Sequence, residues 1–416
     1  MIKNKDILVY AHWKGLLEPN LMGILSVKIT KGKEIFSFEY SKKWLESDFN
    51  FIIDPDFQFY PGRFFPKEDR TNFGVLLDSS PDRWGRVLMQ RKEAVLSRIE
   101  NRIERNLYES DFLLGVNDGH RMGGLRFKLE DHSNFLNDEA PLIPPWTSLR
   151  ELEFASRQFE ENDSNNEENL KWINLLIAPG SSLGGARPKA SVLDPNGHLW
   201  IAKFPSVKDK KNVGAWEMVV NKLAINAGIN ISETEIRKFN NEYHTFLTKR
   251  FDRNLKGERI HFASAMTMLG YLDGDGIEKG VSYLEIAEFL MRHGAETNRD
   301  LEELWKRIVF SICVKNTDDH LRNHGFLLTQ NGWRLSPAYD LNPNEFGTGL
   351  SLNISEKDNS LDLDLALSVA EYFRLDNRKS AEIIGQIKDV VKGWREVAKG
   401  NGIPRSEQDR MANAFL

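Results

Sequence analysis

The chain has 416 residues, enough for two or three domains around a large core. Hydrophobic residues at 40% and charged residues at 28% describe an ordinary globular protein. With 56 Lys and Arg against 61 Asp and Glu, the net charge of −5 argues against a dedicated nucleic-acid binder, a local basic patch aside. Cys313 is the only cysteine, which excludes an internal disulfide or a Cys-rich zinc site, and its apolar run gives it a buried structural role. No signal-peptide core follows Met1-Ile2-Lys3-Asn4-Lys5-Asp6, and no apolar run approaches about 20 residues. The expectation is a cytoplasmic protein with no membrane span.

In chain order, Asp6 to Trp13 and Leu21 to Ile29 read as a strand pair, Glu34 to Tyr40 as a third strand, and the Pro-bearing stretch Phe51 to Phe65 as irregular. In Ser79-Ser80-Pro81-Asp82-Arg83-Trp84-Gly85-Arg86, Ser80 can cap a helix with Pro81 at its first position, running through Leu88 to Ile99. On chemistry alone the Trp84-Gly85-Arg86 cluster is local packing. A short helix over Asp111 to Val116, a glycine turn and a strand at Gly123-Gly124-Leu125-Arg126-Phe127 follow. Asp131 to Trp146 is polar and then Pro-rich, a boundary or surface connection. Thr147 or Ser148 caps a helix through Phe159, and the acidic, Asn-rich Glu160 to Asn169 reads as a solvated loop.

Ser181-Ser182-Leu183-Gly184-Gly185-Ala186-Arg187-Pro188-Lys189 then sets two glycines between a hydroxyl and a Lys, a composition that lets backbone N–H groups approach phosphate oxygens. It is not a Walker A loop; a plain tight turn is the other reading. Strands at Lys189 to Leu193 and His198 to Phe204 flank a turn at Asp194-Pro195-Asn196-Gly197. Lys203 lies within the second strand, where a lone Lys must either snorkel or meet an anion. Trp216 to Leu223 is helical, and Glu217 is a candidate partner for Lys203 or a surface residue. Glu242 to Leu247 reads as a strand leading into Lys249-Arg250-Phe251-Asp252-Arg253. Beyond it the pattern is helical: Tyr283 to Arg292, Leu301 to Lys315, Leu361 to Phe373, Ser380 to Ala398 and Ser406 to Leu416.

The stretch Asn316 to Phe326 holds two acids, two His and two Asn between a helical and a strand-like run. Asp318 and Asn323 have the D-x-x-x-x-N spacing of a kinase catalytic loop, and Asp340 follows 17 residues later. A base, then an amide, then a second carboxylate is the order that Mg²⁺-assisted phosphoryl transfer requires. Asp and Asn are also ordinary turn residues, and the His could be core or metal-ligating.

Taken together, Ser182 to Lys189, Lys203, Arg250-Phe251-Asp252-Arg253, Asn316 to His324 and Ala338-Tyr339-Asp340-Leu341 resemble the HipA family, bacterial serine/threonine kinases that act as toxins of toxin–antitoxin modules. Ser79 to Arg86 and Arg121-Met122-Gly123-Gly124-Leu125-Arg126-Phe127 extend the resemblance to nearly the whole chain. It implies an α+β, bilobal protein-kinase-like fold: an N-terminal subdomain at 1–140, a small lobe with the glycine-rich loop at 141–248 and an α-helical catalytic lobe at 249–416. It implies ATP and Mg²⁺ as cofactors, with Asp318 as general base and Asn323 and Asp340 as metal ligands. Gly184, Gly185, Ala186, Arg187, Pro188 and Lys189 would cover the phosphates, and Lys203 would bind them with His320, Leu321, Arg322 and Asn323 close by. Lys249, Arg250 and Phe251 would form the adenine hinge with Tyr339 beside it, although the family often has an acidic residue where Lys249 stands. Ser182 matches the serine whose autophosphorylation inactivates family members, with Ser181 as a competing hydroxyl. The implied partners are a protein substrate, an aminoacyl-tRNA synthetase among the family's targets, and a small helix-turn-helix antitoxin, with DNA reached only through it. The alternative is a binding module acting mainly as co-repressor with that antitoxin. Metal-dependent phosphohydrolysis is a third option, against which the glycine loop and hinge speak.

Overall fold

The computed structural model describes residues 5–49, 51–67, 69–129, 134–136, 143–161, 167–177 and 185–416. These form two compact units, Met1–Val207 with Asp252–Ala263, and Lys208–Phe251 with Ser264–Leu416. No described helix is long and apolar enough to cross a membrane.

The first unit is built on a five-stranded antiparallel sheet in the order Arg63–Phe64, Lys33–Tyr40, Asn20–Thr30, Lys5–Ala11, Leu125–Leu129. Alternation along Lys5–Ala11 puts Ile7, Val9 and Ala11 on the buried face with Leu25, Val27, Phe36, Phe38 and Phe127. The Pro-rich stretch supplies Phe57, which stacks on Phe38 at 4.5 Å and packs with Phe73 at the same distance. The helices Arg83–Ile99, Leu149–Glu161 and Glu167–Ile177 pack together, and Lys189–Leu193 with Leu199–Lys203 makes an antiparallel hairpin.

Three local expectations are corrected here. Asp82, not Ser80, caps the helix, its carboxylate accepting from Gly85 N at 2.8 Å, and the helix starts at Arg83, so Pro81 stays outside it. The Ser80 hydroxyl is already committed to Leu76 O, at 2.8 Å. Neither Thr147 nor Ser148 caps the next helix; both lie in a 3₁₀ turn, Trp146–Ser148, closed by Ser148 N donating to Pro145 O. The solvated loop ends earlier than Asn169, because Glu167 begins a helix that buries Ile173 and Leu176. Acidic residues at a helix start are stabilised by its dipole, so a polar first turn reads as loop.

The second unit is mostly helical. Helix Val213–Asn226 buries Trp216, whose Nε1 donates to Glu407 Oε1 at 2.7 Å, and Trp394 stacks on Phe415 at 4.4 Å. The strand expected at Glu242 to Leu247 is Thr245–Lys249, paired antiparallel with Thr234–Arg237, a strand the sequence did not announce. Helix Tyr283–His293 opens on a capping box of Ser282 and Glu285. Helix Thr297–Cys313 buries Leu301, Leu304, Trp305, Ile308 and Ile312 on its inner face. The hairpin Gly325–Thr329 with Gly332–Leu335 is tied to that helix by Arg334 Nε donating to Asp300 Oδ2 at 2.9 Å.

Candidate active site

Helix Thr297–Cys313 ends where Lys315 takes a left-handed φ of +45° and Asn316 N donates back to Ser311 O at 2.9 Å. The chain then enters the acid-rich loop, and its two adjacent carboxylates part company. Asp319 is buried, accepts from Tyr283 OH at 2.6 Å and has His324 Nε2 at 3.2 Å. Burial alone would raise its pKa, but His324, the Tyr283 hydroxyl and His320 outweigh that and hold it below the usual carboxylate value. Burial, reinforced by Asp319, drives the Tyr283 phenol well above its ordinary value, so it remains a donor. Asp318 is exposed. Asp319 is thus spent on holding the loop, while Asp318 lies at the surface.

Asn323 folds back on the same loop. Its backbone N–H donates to His320 O at 2.8 Å and its Nδ2 to Asp318 O at 2.8 Å. With the amide NH₂ spent there, its oxygen is the atom suited to a cation. Asp340 has φ +60°, a conformation uncommon outside glycine and typical of constrained functional positions. The approach to it is pinned to the helix that leads to Asp318, since Arg307 Nη2 donates to Ser336 O at 2.7 Å. Tyr339 OH donates to Arg322 O at 2.7 Å, and its ring lies 5.5 Å from Phe251. Arg322 Nη1 pairs with Asp273 Oδ2 at 3.3 Å. The second unit thus joins Phe251, Tyr339, Asp340, Arg322, Asn323, His320 and Asp318 through short contacts and shared backbone. Leu321 is buried within the loop. Among the described residues no three His, Cys, Asp or Glu side chains form a self-sufficient metal centre. Asn323 and Asp340 suit a hard cation that draws its remaining ligands from phosphate and water. Lys249 pairs with Glu233 Oε2 at 3.2 Å, its backbone N–H is spent on Glu233 O, and Arg250 is buried. Cys313 is buried and its thiol is pushed up to about 11 by that burial, as suits a structural role.

In the first unit Gly185 has φ +90° at the described end of the glycine-rich segment; Ser181, Ser182 and Gly184 lie outside the described residues. Ala186 is exposed, Arg187 half-buried and Pro188 buried. The Lys189 ammonium, 2% exposed, is committed to Asp82 Oδ2 at 2.8 Å, and the Trp84 indole donates to Lys189 O at 3.1 Å. Lys203 sits opposite Lys189 in the hairpin register, and Glu217 is buried in the second unit.

Sequence reasoning missed what the N-terminal motifs do to one another. Arg121 donates to Ser79 O, Leu113 O and Val116 O, and burial brings its pKa down to about 10. Gly123 N donates to Asp252 Oδ2 at 2.9 Å, and Arg253 Nη2 donates to Arg121 O at 2.9 Å. Two motifs 130 residues apart are therefore one clasp. The contacts of Asn316, Asn342 and Asn344 were also missed. Asn316 Oδ1 accepts from Asn342 N at 3.0 Å, Asn344 Nδ2 donates to Thr317 Oγ1 at 2.8 Å, and Asn342 Nδ2 donates to Asp340 Oδ1 at 3.2 Å. The only sequence signal was the density of Asn around Asp340.

Comparison with known proteins follows the same lines. Residues 181–394, just over half of the chain, match the model of the HipA-like C-terminal domain. A Haemophilus influenzae protein named "Putative kinase" is 27% identical over 180 residues, covering 39% of this chain and 52% of that protein. The serine/threonine-protein kinase toxin HipA of Shewanella oneidensis is 27% identical over 145 residues, covering 30% of this chain and 33% of that protein. The chain thus spans about half or less of the length of these curated relatives. Among solved structures, HipA of Shewanella oneidensis, from a complex with HipB and operator DNA, superposes with a TM-score of 0.67 at 17% identity, covering 99% of this chain and 95% of that one. The fold is the α+β, kinase-like one expected from the sequence.

Proposed function

This chain belongs to the HipA family, and we propose that it is an ATP- and Mg²⁺-dependent protein serine/threonine kinase whose general base is Asp318. The observation that carries the proposal is the separation of the two neighbouring acids. Asp319 is buried against Tyr283 and His324, while Asp318 is exposed on a loop closed by Asn323. Asp318 takes the proton of the acceptor hydroxyl as that oxygen attacks the terminal phosphate. Asn323 Oδ1 and the Asp340 carboxylate would hold Mg²⁺, which supplies charge neutralisation at the phosphates. Tyr339 couples the hinge residue Phe251 to this loop through Arg322 O. The phosphate-covering role of Gly184 to Lys189, the phosphate contact of Lys203, the hinge role of Lys249 to Phe251 and inactivation through Ser182 rest on the family resemblance. So does a small DNA-binding antitoxin as partner.

A polypeptide acceptor is favoured by Phe346, which is 84% exposed. Its segment is fixed against Thr317, the residue before Asp318, by Asn344 and by Gly347, where a Cβ would come within 2.4 Å of Thr317 Cγ2. An aromatic ring held in solvent this close to the base gives a protein substrate an apolar contact beside its hydroxyl.

Calorimetry with Mg²⁺ and a non-hydrolysable ATP analogue tests the cation assignment. Asp340→Ala should weaken Mg²⁺-dependent binding more than Asn323→Ala, because a carboxylate supplies formal charge and an amide only a dipole. Equal losses, or none, would contradict the assignment.

A further inference from the structure

Asn342 lies two residues past Asp340 and directly before Pro343. Its N–H donates to Asn316 Oδ1 at 3.0 Å. Asn316 is itself 1% exposed and bound to Ser311 through N (2.9 Å) and Nδ2 (3.4 Å). Asn342 is thereby anchored to the end of the helix that delivers Asp318. Its Nδ2 donates to Asp340 Oδ1 at 3.2 Å, which fixes the amide orientation, since the reverse would set its oxygen against a carboxylate oxygen. Asn342 Oδ1 is then left buried with no hydrogen-bond donor.

A buried acceptor without a donor is costly, and here it stands beside a residue held at φ +60°. Two unfavourable features two residues apart thus sit at the carboxylate that the phosphotransfer reading assigns to the cation. Mg²⁺ dehydrates reluctantly and normally keeps several waters, each a donor in search of an acceptor. Residues outside the ligands fix ligand orientation and commonly govern metal affinity. On these grounds, and resting on the kinase reading above, we propose that Asn342 is a positioning residue for the cation site. Its Nδ2 orients the Asp340 carboxylate through Oδ1, and its own buried Oδ1 would accept from a water that Mg²⁺ carries.

A purely structural Asn would affect stability and leave metal binding alone. The test is Asn342→Leu, which keeps volume and removes both polar groups, in the full-length chain with a non-hydrolysable ATP analogue. Mn²⁺ binding is followed by electron paramagnetic resonance, beside analogue affinity in EDTA and thermal melting. The expected result is Mn²⁺ affinity lowered about 10- to 100-fold, with metal-free analogue binding unchanged and melting unchanged or raised. Should the Leu variant not fold, Asn342→Ser withdraws the side chain from Asp340 and must show the same loss. Wild-type Mn²⁺ affinity in a folded variant would overturn the proposal and leave the kinase reading intact. A wild-type protein that binds no Mn²⁺ even with the analogue would bring down both.

Discussion

Replacing Asp318 by Asn is expected to lower phosphate transfer about 10²- to 10⁴-fold while the fold and nucleotide affinity stay close to wild type. The change keeps the size of the side chain and removes the proton acceptor. Asp318 is exposed, and an amide of the same size fits in its place. The loop around it is held by its own backbone carbonyl, which accepts from Asn323 Nδ2, and by Asp319 beneath it. Single-turnover kinetics with a peptide acceptor, paired with a melting curve, would measure both halves. Wild-type turnover by a folded Asp318→Asn protein would remove Asp318 from the role of base.

The second large effect is on stability. Asp82→Ala should cost about 3–5 kcal/mol, because it leaves the Lys189 ammonium buried without its counter-charge. Both side chains are essentially inaccessible, and the pair is 2.8 Å apart. Asp82 also caps helix Arg83–Ile99 through Gly85 N, and loss of such a cap typically costs a further ~1 kcal/mol. The double variant Asp82→Ala with Lys189→Met should regain much of the loss, since a buried ion pair exchanged for apolar groups is often neutral. Urea midpoints of the three proteins decide it. A double variant no more stable than Asp82→Ala alone would mean that the pair is not what makes the site costly to disturb.

That pair also shows where sequence reading stopped. Strands with clean alternation, such as Lys5–Ala11, and the long amphipathic helices were legible because their period is local. Asp318, Asn323 and Asp340 were legible as a spacing, and the structure places them on one connected framework in the second unit. What separates Asp318 from Asp319 was not legible, because it depends on Tyr283, some 35 residues upstream, and on burial. Lys189 reads as the end of the glycine-rich segment and the start of a strand, yet its partner stands 107 positions earlier. Asp252 reads as the continuation of Phe251, but its carboxylate receives Gly123 N. Ser80 reads as the cap because Pro81 fits a first helical position, whereas the Ser80 hydroxyl serves the preceding turn. Asn342 gave no signal, since its importance lies in one buried oxygen.

The proposed reaction moves the terminal phosphate of ATP to a protein hydroxyl with Asp318 as base. Incubation of the purified full-length chain with γ-labelled ATP and Mg²⁺, followed by acid hydrolysis and phosphoamino-acid analysis, tests it most directly. The account predicts label in phosphoserine or phosphothreonine, abolished by EDTA and by Asp318→Asn. Label released only as free phosphate, or protein label that persists in EDTA or in the Asp318→Asn variant, would contradict it.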